Sequence, residues 1–89
     1  MPFYVYILQS ELDRSYYKGF TLNPIIRLTQ HNAGEMKYTS TKMPWQLVYV
    51  EQFENKRDAL IRERNLKKAT TERIEYLIAS SKNIVKQFI

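Results

Sequence analysis

Eighty-nine residues allow one domain with one hydrophobic core and leave no room for a second. The absence of cysteine excludes a disulfide framework, a thiolate zinc site and cysteine nucleophilic catalysis, and accords with a reducing cytoplasm. Fourteen Lys and Arg against nine Asp and Glu give a net charge of +5, which makes a polyanionic partner plausible.

The start, MPFYVYILQSELDR, has no basic lead before its short apolar run and no small-residue cleavage pattern, so no signal peptide is expected. No apolar run approaches the ~20 residues that cross a bilayer, so a soluble, cytoplasmic protein without a membrane partner is expected. Residues 3–9 alternate, with Phe3, Val5 and Ile7 on one side and Tyr4, Tyr6 and Leu8 on the other. That period of two predicts a strand covered on both faces. After the polar turn SELDRS, residues 15–20 read as a second strand, antiparallel to the first because the connection is short. On it Tyr17 shares a face with Gly19.

Asn23 as N-cap and Pro24 at the first helical position open a helix through IIRLTQHN that Gly34 terminates. Residues 34–44, GEMKYTSTKMP, read as an exposed basic loop. WQLVYVEQF at 45–53 predicts a third strand whose Trp, Val, Tyr and Phe pack together. Asn55 caps a second helix, KRDALIRERNLKKA, with Asp58 three residues on. Thr70 or Thr71 begins a third, TERIEYLIASS, with Ile74, Leu77 and Ile78 on one stripe. The tail KNIVKQFI either extends it or docks Ile84, Val85 and Phe88 on the body. The order β-β-α-β-α-α predicts an α+β fold, a small three-stranded antiparallel sheet flanked by helices. It forms a single domain over 1–89, with its motifs in about 3–80 and a C-terminal tail at 81–89.

Glu63 falls on the apolar stripe of the second helix, four residues after Ala59 and three before Leu66. A carboxylate there is costly unless paired or bound to a metal, and Lys67 at i+4 offers an ordinary ion pair. Arg27 and His31 share a face of the first helix beside Ile25 and Leu28. One supplies a planar fork of donors for phosphate oxygens, the other a proton carrier near neutral pH; two solvated polar residues are the plainer alternative. Tyr6 and Tyr17 fit either a hydroxyl pair across neighbouring strands or two sheet aromatics. With two glycines and one histidine, neither a phosphate-cradling Gly-rich loop nor a histidine-based triad has support. Arg57, Arg62, Arg64, Lys67 and Lys68 form either a solvated helix face or a track for phosphates.

Together, YVYIL (4–8), YYKG (16–19), RLTQHNAG (27–34) and ALIRERNLKK (59–68) resemble in order and spacing the motifs of the GIY-YIG nuclease superfamily. YTSTKMPWQLVYVE (38–51) is similar to a segment of its small stand-alone members, related to the nuclease domain of the bacterial excision-repair incision subunit. By position the resemblance implies that Tyr6 and Tyr17 are the signature tyrosines and Arg27 the arginine that follows. It places His31 where members carry tyrosine or histidine, and makes Glu63 the ligand of one Mg²⁺ or Mn²⁺ ion. Tyr4 stands where the first motif has glycine, Lys18 replaces the middle isoleucine of the second, and Phe20 stands where some members have lysine. The implied activity is metal-dependent endonucleolytic hydrolysis of phosphodiesters, in DNA rather than RNA, in repair or directed by structure. Tyr17 would deprotonate the attacking water, with Tyr6 and His31 orienting the chain and His31 the rival base. A phenol ionises near ~10 and needs cations close by to act this way.

Two other readings follow from the same residues. A non-catalytic nucleic-acid binding module would keep the nuclease shape and charge without cleavage. A protein-interaction domain would use Ile84, Val85, Phe88 and Ile89 as an exposed docking strip.

Overall fold

The computed structural model describes residues 1–89 and follows the expected order. Strands β1 (Phe3–Ser10), β2 (Tyr16–Thr21) and β3 (Trp45–Phe53) form one antiparallel sheet in the order β2-β1-β3, so the tyrosine-bearing β1 is central and β2 is an edge. Helices α1 (Pro24–Asn32), α2 (Lys56–Lys67) and α3 (Thr71–Ala79) complete the α+β fold. Each starts where its cap predicts. The Asn23 side chain accepts the N–H groups of Ile25 and Ile26, Asn55 accepts that of Asp58, and Thr70 that of Arg73. Just beyond α1, Gly34 takes a φ of 76°, the left-handed conformation in which a side chain is strained.

The alternation in β1 divides the interior into two layers. Val5 and Ile7 pack with Tyr49, Ala59, Leu66, Ile74 and Leu77 beneath α2 and α3. Tyr6 and Leu8 pack with Trp45, Leu47 and Val50 on the side of α1 and the C-terminal tail. The aromatic residues of β3 do not share one side, as the sequence suggested. A bulge against β1 between Ile7 and Leu8 sets Ile7 opposite Tyr49 but Leu8 opposite Leu47. The extra residue, Val48, changes the phase, so Trp45 and Leu47 face one layer and Tyr49 the other.

Helix α1 also turns differently from its apolar pattern. Ile25 and Ile26 are exposed, Leu28 is half-buried against the Tyr6 layer, and His31 is completely buried. Asn32 explains the orientation: its side chain accepts the Trp45 amide at 2.6 Å and donates to the Trp45 carbonyl at 2.9 Å, tying the end of α1 to the start of β3. Helix α2 is fixed to the other layer by Arg62, which donates to the Glu51 carboxylate at 2.9 Å. The Tyr49 hydroxyl donates to the same oxygen at 2.8 Å, and burial beside that carboxylate pushes the phenol up to about 12.

The tail docks instead of extending α3. The Ile84 amide donates to the Val50 carbonyl, the Asn83 side chain bonds to β3, and Ile84, Val85 and Phe88 lie against the Tyr6 layer. Phe88 meets Tyr4 edge-on at 5.4 Å. These residues are therefore a cover for the core, not the exposed docking strip considered above; Ile89 alone of the four is exposed. Deleting residues 82–89 uncovers three half-buried apolar side chains' worth of core and should cost ~3 kcal/mol or more, read as a lower urea midpoint. An unchanged midpoint would show that the tail contributes nothing to the fold.

Candidate active site

The site begins with a glycine. Gly19 on β2 pairs directly with Tyr6 on β1, and a Cβ on Gly19 would lie 2.5 Å from the Tyr6 hydroxyl and from its ring carbon. Hydrogen in that position lets the Tyr6 ring lie flat across the edge strand. Tyr17, two residues earlier on the same face, brings its ring centroid to 6.3 Å from that of Tyr6.

His31 meets both from α1. Its Nε2 lies 2.9 Å from the Tyr6 hydroxyl, and its ring centroid 4.9 Å from that of Tyr17. Its Nδ1 lies 2.7 Å from the Thr39 hydroxyl, so both ring nitrogens have partners that either donate or accept. Burial, reinforced by the nearby Arg27 guanidinium, holds the imidazole below its usual 6.5, and the ring is neutral at pH 7. The Tyr6 phenol is pushed well above its ordinary value by burial first and by Tyr17 second. Glu63 adds to this rise and Arg27 opposes it. Tyr6 is therefore a neutral hydrogen-bonding group at physiological pH.

Glu63 comes from the other layer. Its helix packs on the Val5 and Ile7 side, opposite Tyr6. A cleft of about 400 Å³ is lined by Tyr16, Tyr17 and Lys18 of β2, Tyr38, and Lys67 of α2. The Glu63 side chain is 19% exposed and forms the expected i,i+4 pair with Lys67 at 3.5 Å. Tyr6, Tyr17 and His31 are thus in mutual contact, while the charges of Arg27 and Glu63 bear on Tyr6 and that of Arg27 on His31. The five do not line one cleft; Arg27 borders a separate hollow with Phe20 and Gln30.

No group of three or more His, Cys, Asp or Glu gathers in the chain. The donor set still fits a hard divalent cation. Glu63 is a partly sheltered carboxylate whose one ionic partner, a lysine 57% exposed, is free to swing away. Magnesium is commonly held by one or two carboxylates with water and phosphate oxygens completing its shell.

Two contributors escaped the sequence reading. Thr39 sits in a polar loop, and nothing local distinguishes it from Thr41 or Ser40. Its role appears only when the loop folds over His31. Gly19 was legible as a signature residue, but its use as clearance for the Tyr6 ring required the strand register.

A tyrosine pair across the central and edge strands, a buried histidine beside it and a carboxylate on the helix of the opposite layer accompany the fold of a small nuclease-type domain. The chain belongs to the GIY-YIG catalytic domain family, whose pattern it matches over residues 2–75. It is 47% identical over 85 residues to a UPF0213 protein of Clostridium perfringens, covering 94% of this chain and 89% of that one. It is 40% identical over 77 residues to a UPF0213 protein of Pediococcus pentosaceus, covering 84% and 80%. The solution NMR structure of the UPF0213 protein BH0048 from Bacillus halodurans superposes with a TM-score of 0.60 at 30% identity, covering 99% of this chain and 94% of that one. The relatives are small, stand-alone proteins of the same extent.

Two measurements probe this geometry. Because the fold holds His31 neutral, the unfolded chain takes up a proton near 6.5 that the folded chain refuses until lower pH. Its stabilisation is complete above that value and is lost as pH falls through the folded one. The melting temperature should therefore drop between about pH 7 and about pH 5, and drop less steeply in His31→Gln. Parallel slopes for the two proteins would contradict this. Separately, Gly19→Ala must displace the Tyr6 ring and should destabilise by ~1–3 kcal/mol while breaking the Tyr6–His31 bond. Unperturbed His31 ring nitrogen shifts in the NMR spectrum of that variant would refute the clearance argument.

Proposed function

We propose that the protein is a divalent-metal-dependent endonuclease that hydrolyses phosphodiester bonds in nucleic acid, DNA before RNA, within the cell. The observation that carries this reading is the mutual contact of Tyr6, Tyr17 and His31, with Lys67, the ion-pair partner of Glu63, lining the cleft that Tyr17 borders. The net charge of +5 supplies a field that attracts a polyanion.

Glu63 holds the cation, Mg²⁺ or Mn²⁺, which when bound supplies Lewis acidity at the scissile phosphate and stabilises the departing 3′ oxygen. Arg27 offsets charge on the non-bridging oxygens. Tyr17 is the half-exposed phenol that borders the cleft, so it is the group placed to take or relay the proton of the attacking water. His31 is fully buried with both nitrogens engaged, which removes it from contact with that water and argues against the rival assignment as base. It acts instead by fixing the Tyr6 hydroxyl, and the two buried rings together hold Tyr17 in position at the cleft. Water adds to phosphorus as the bond to the 3′ oxygen breaks, and the proton that Tyr17 removes from the water is returned through solvent to the 3′ oxygen, leaving a 5′-phosphate and a 3′-hydroxyl.

Nicking of branched, single-stranded and duplex DNA in the presence and absence of Mg²⁺ tests the reading. Glu63→Gln should lower the rate by about 10²-fold or more, with Arg27→Ala and Tyr17→Phe also strongly impaired. Equal cleavage by wild type and Glu63→Gln would mean that the activity belongs to something else. Salt-sensitive binding by wild type with no cleavage under any condition would assign the domain to recognition alone.

A further inference from the structure

Tyr38 is 85% exposed, yet it sits on some of the most firmly held backbone around the site. The next residue, Thr39, is buried, bonds to His31 at 2.7 Å, and accepts the Trp45 indole N–H on its carbonyl at 3.0 Å. The Tyr38 ring stands 6.3 Å from that of Tyr17, with 47° between their planes. It forms part of the wall of the 400 Å³ cleft and also of a smaller one, about 160 Å³, that runs back to Lys42 and Trp45. Lys18 and Lys67 line the first cleft and Lys42 the second. A large aromatic face in water, anchored from below and surrounded by ammonium groups, suits a ligand that is flat on one side and anionic on the other. A nucleotide has that chemistry.

The base faces of a duplex are stacked on their neighbours, whereas an unpaired base offers its own to an aromatic side chain. We infer that the cleft of Tyr16, Tyr17 and Tyr38 is a stacking subsite for an unpaired nucleotide adjacent to the scissile phosphate. The substrate class is then single-stranded nucleic acid, or a strand unpaired at the cut. The inference rests on the proposed nuclease function and specifies which nucleic acid that site accepts. Stacking supplies the contact with the base, and Lys18 and Lys67 neutralise the phosphates on either side. Because Thr39 bonds to His31, the platform and the positioning histidine are set in place by the same buried contact.

Binding without cleavage tests the subsite independently of catalysis. The full chain is titrated in EDTA against a fluorescent oligothymidylate and a labelled hairpin duplex of the same length, using wild type, Tyr38→Ala and Tyr38→Phe. Wild type should favour the single strand. Tyr38→Ala should weaken that binding about tenfold and hairpin binding less than about twofold, while Tyr38→Phe, which keeps the ring, should resemble wild type. The Tyr38 side chain lies outside the core, so an unchanged melting temperature would confirm that Tyr38→Ala is folded. Equal losses on both probes, or no loss on either, would overturn the subsite and leave the nuclease reading intact, as would a wild type that prefers the hairpin. Wild type that bound neither probe at low salt would remove the nucleic-acid reading itself, and the subsite with it.

Discussion

One buried hydrogen bond, between the Tyr6 hydroxyl and His31 Nε2, sets much of the rest of the molecule. To make it, the central strand must send a full aromatic ring across its neighbour, which only glycine at position 19 permits. The first helix must turn its histidine inward at the expense of Ile25 and Ile26, which face water. A polar loop must then deliver Thr39 to the other ring nitrogen, because an imidazole with one nitrogen unpaired in the interior would be expensive. Three segments distant in the chain thus satisfy one ring, and what they gather around it is the candidate catalytic centre.

The second constraint is the division of the sheet. Strand β1 separates its side chains cleanly, so the phenols and the carboxylate of Glu63 start in different layers. The two layers meet at the border of β2, where Tyr17 and Lys67, the ion-pair partner of Glu63, line one cleft. The ion pair between Arg62 and Glu51 fixes the neighbouring turn of α2 against the sheet, one residue before Glu63. Stability and chemistry are therefore separated along that helix: Ala59 and Leu66 hold it down, Arg62 pins it, and Glu63 is left at the border.

Much of this was legible from local signals. Asn23 with Pro24, Asn55 and Thr70 declared the helix starts through their capping chemistry, and the alternation in β1 declared a strand buried on both faces. The family motifs offered five candidate residues, but their order in the chain carried no information about layers. Patterns that depend on distant partners could not be read locally. Of the Ile25 and Leu28 stripe only Leu28 packs inward, because the cost of burying His31 is offset by hydroxyls from β1 and from the loop. The phase change at Val48 depends on the register against β1. Thr39 carries no mark of its use until the loop closes.

The edge position of β2 has a consequence for assembly. An unpaired strand is a standing invitation to another chain, and proteins ordinarily discourage such pairing. Here the border must stay bare for a second reason. Any partner that extended the sheet along β2 would seal the gap between Tyr17 and Lys67, so that self-association by strand addition there and access to the cleft exclude one another.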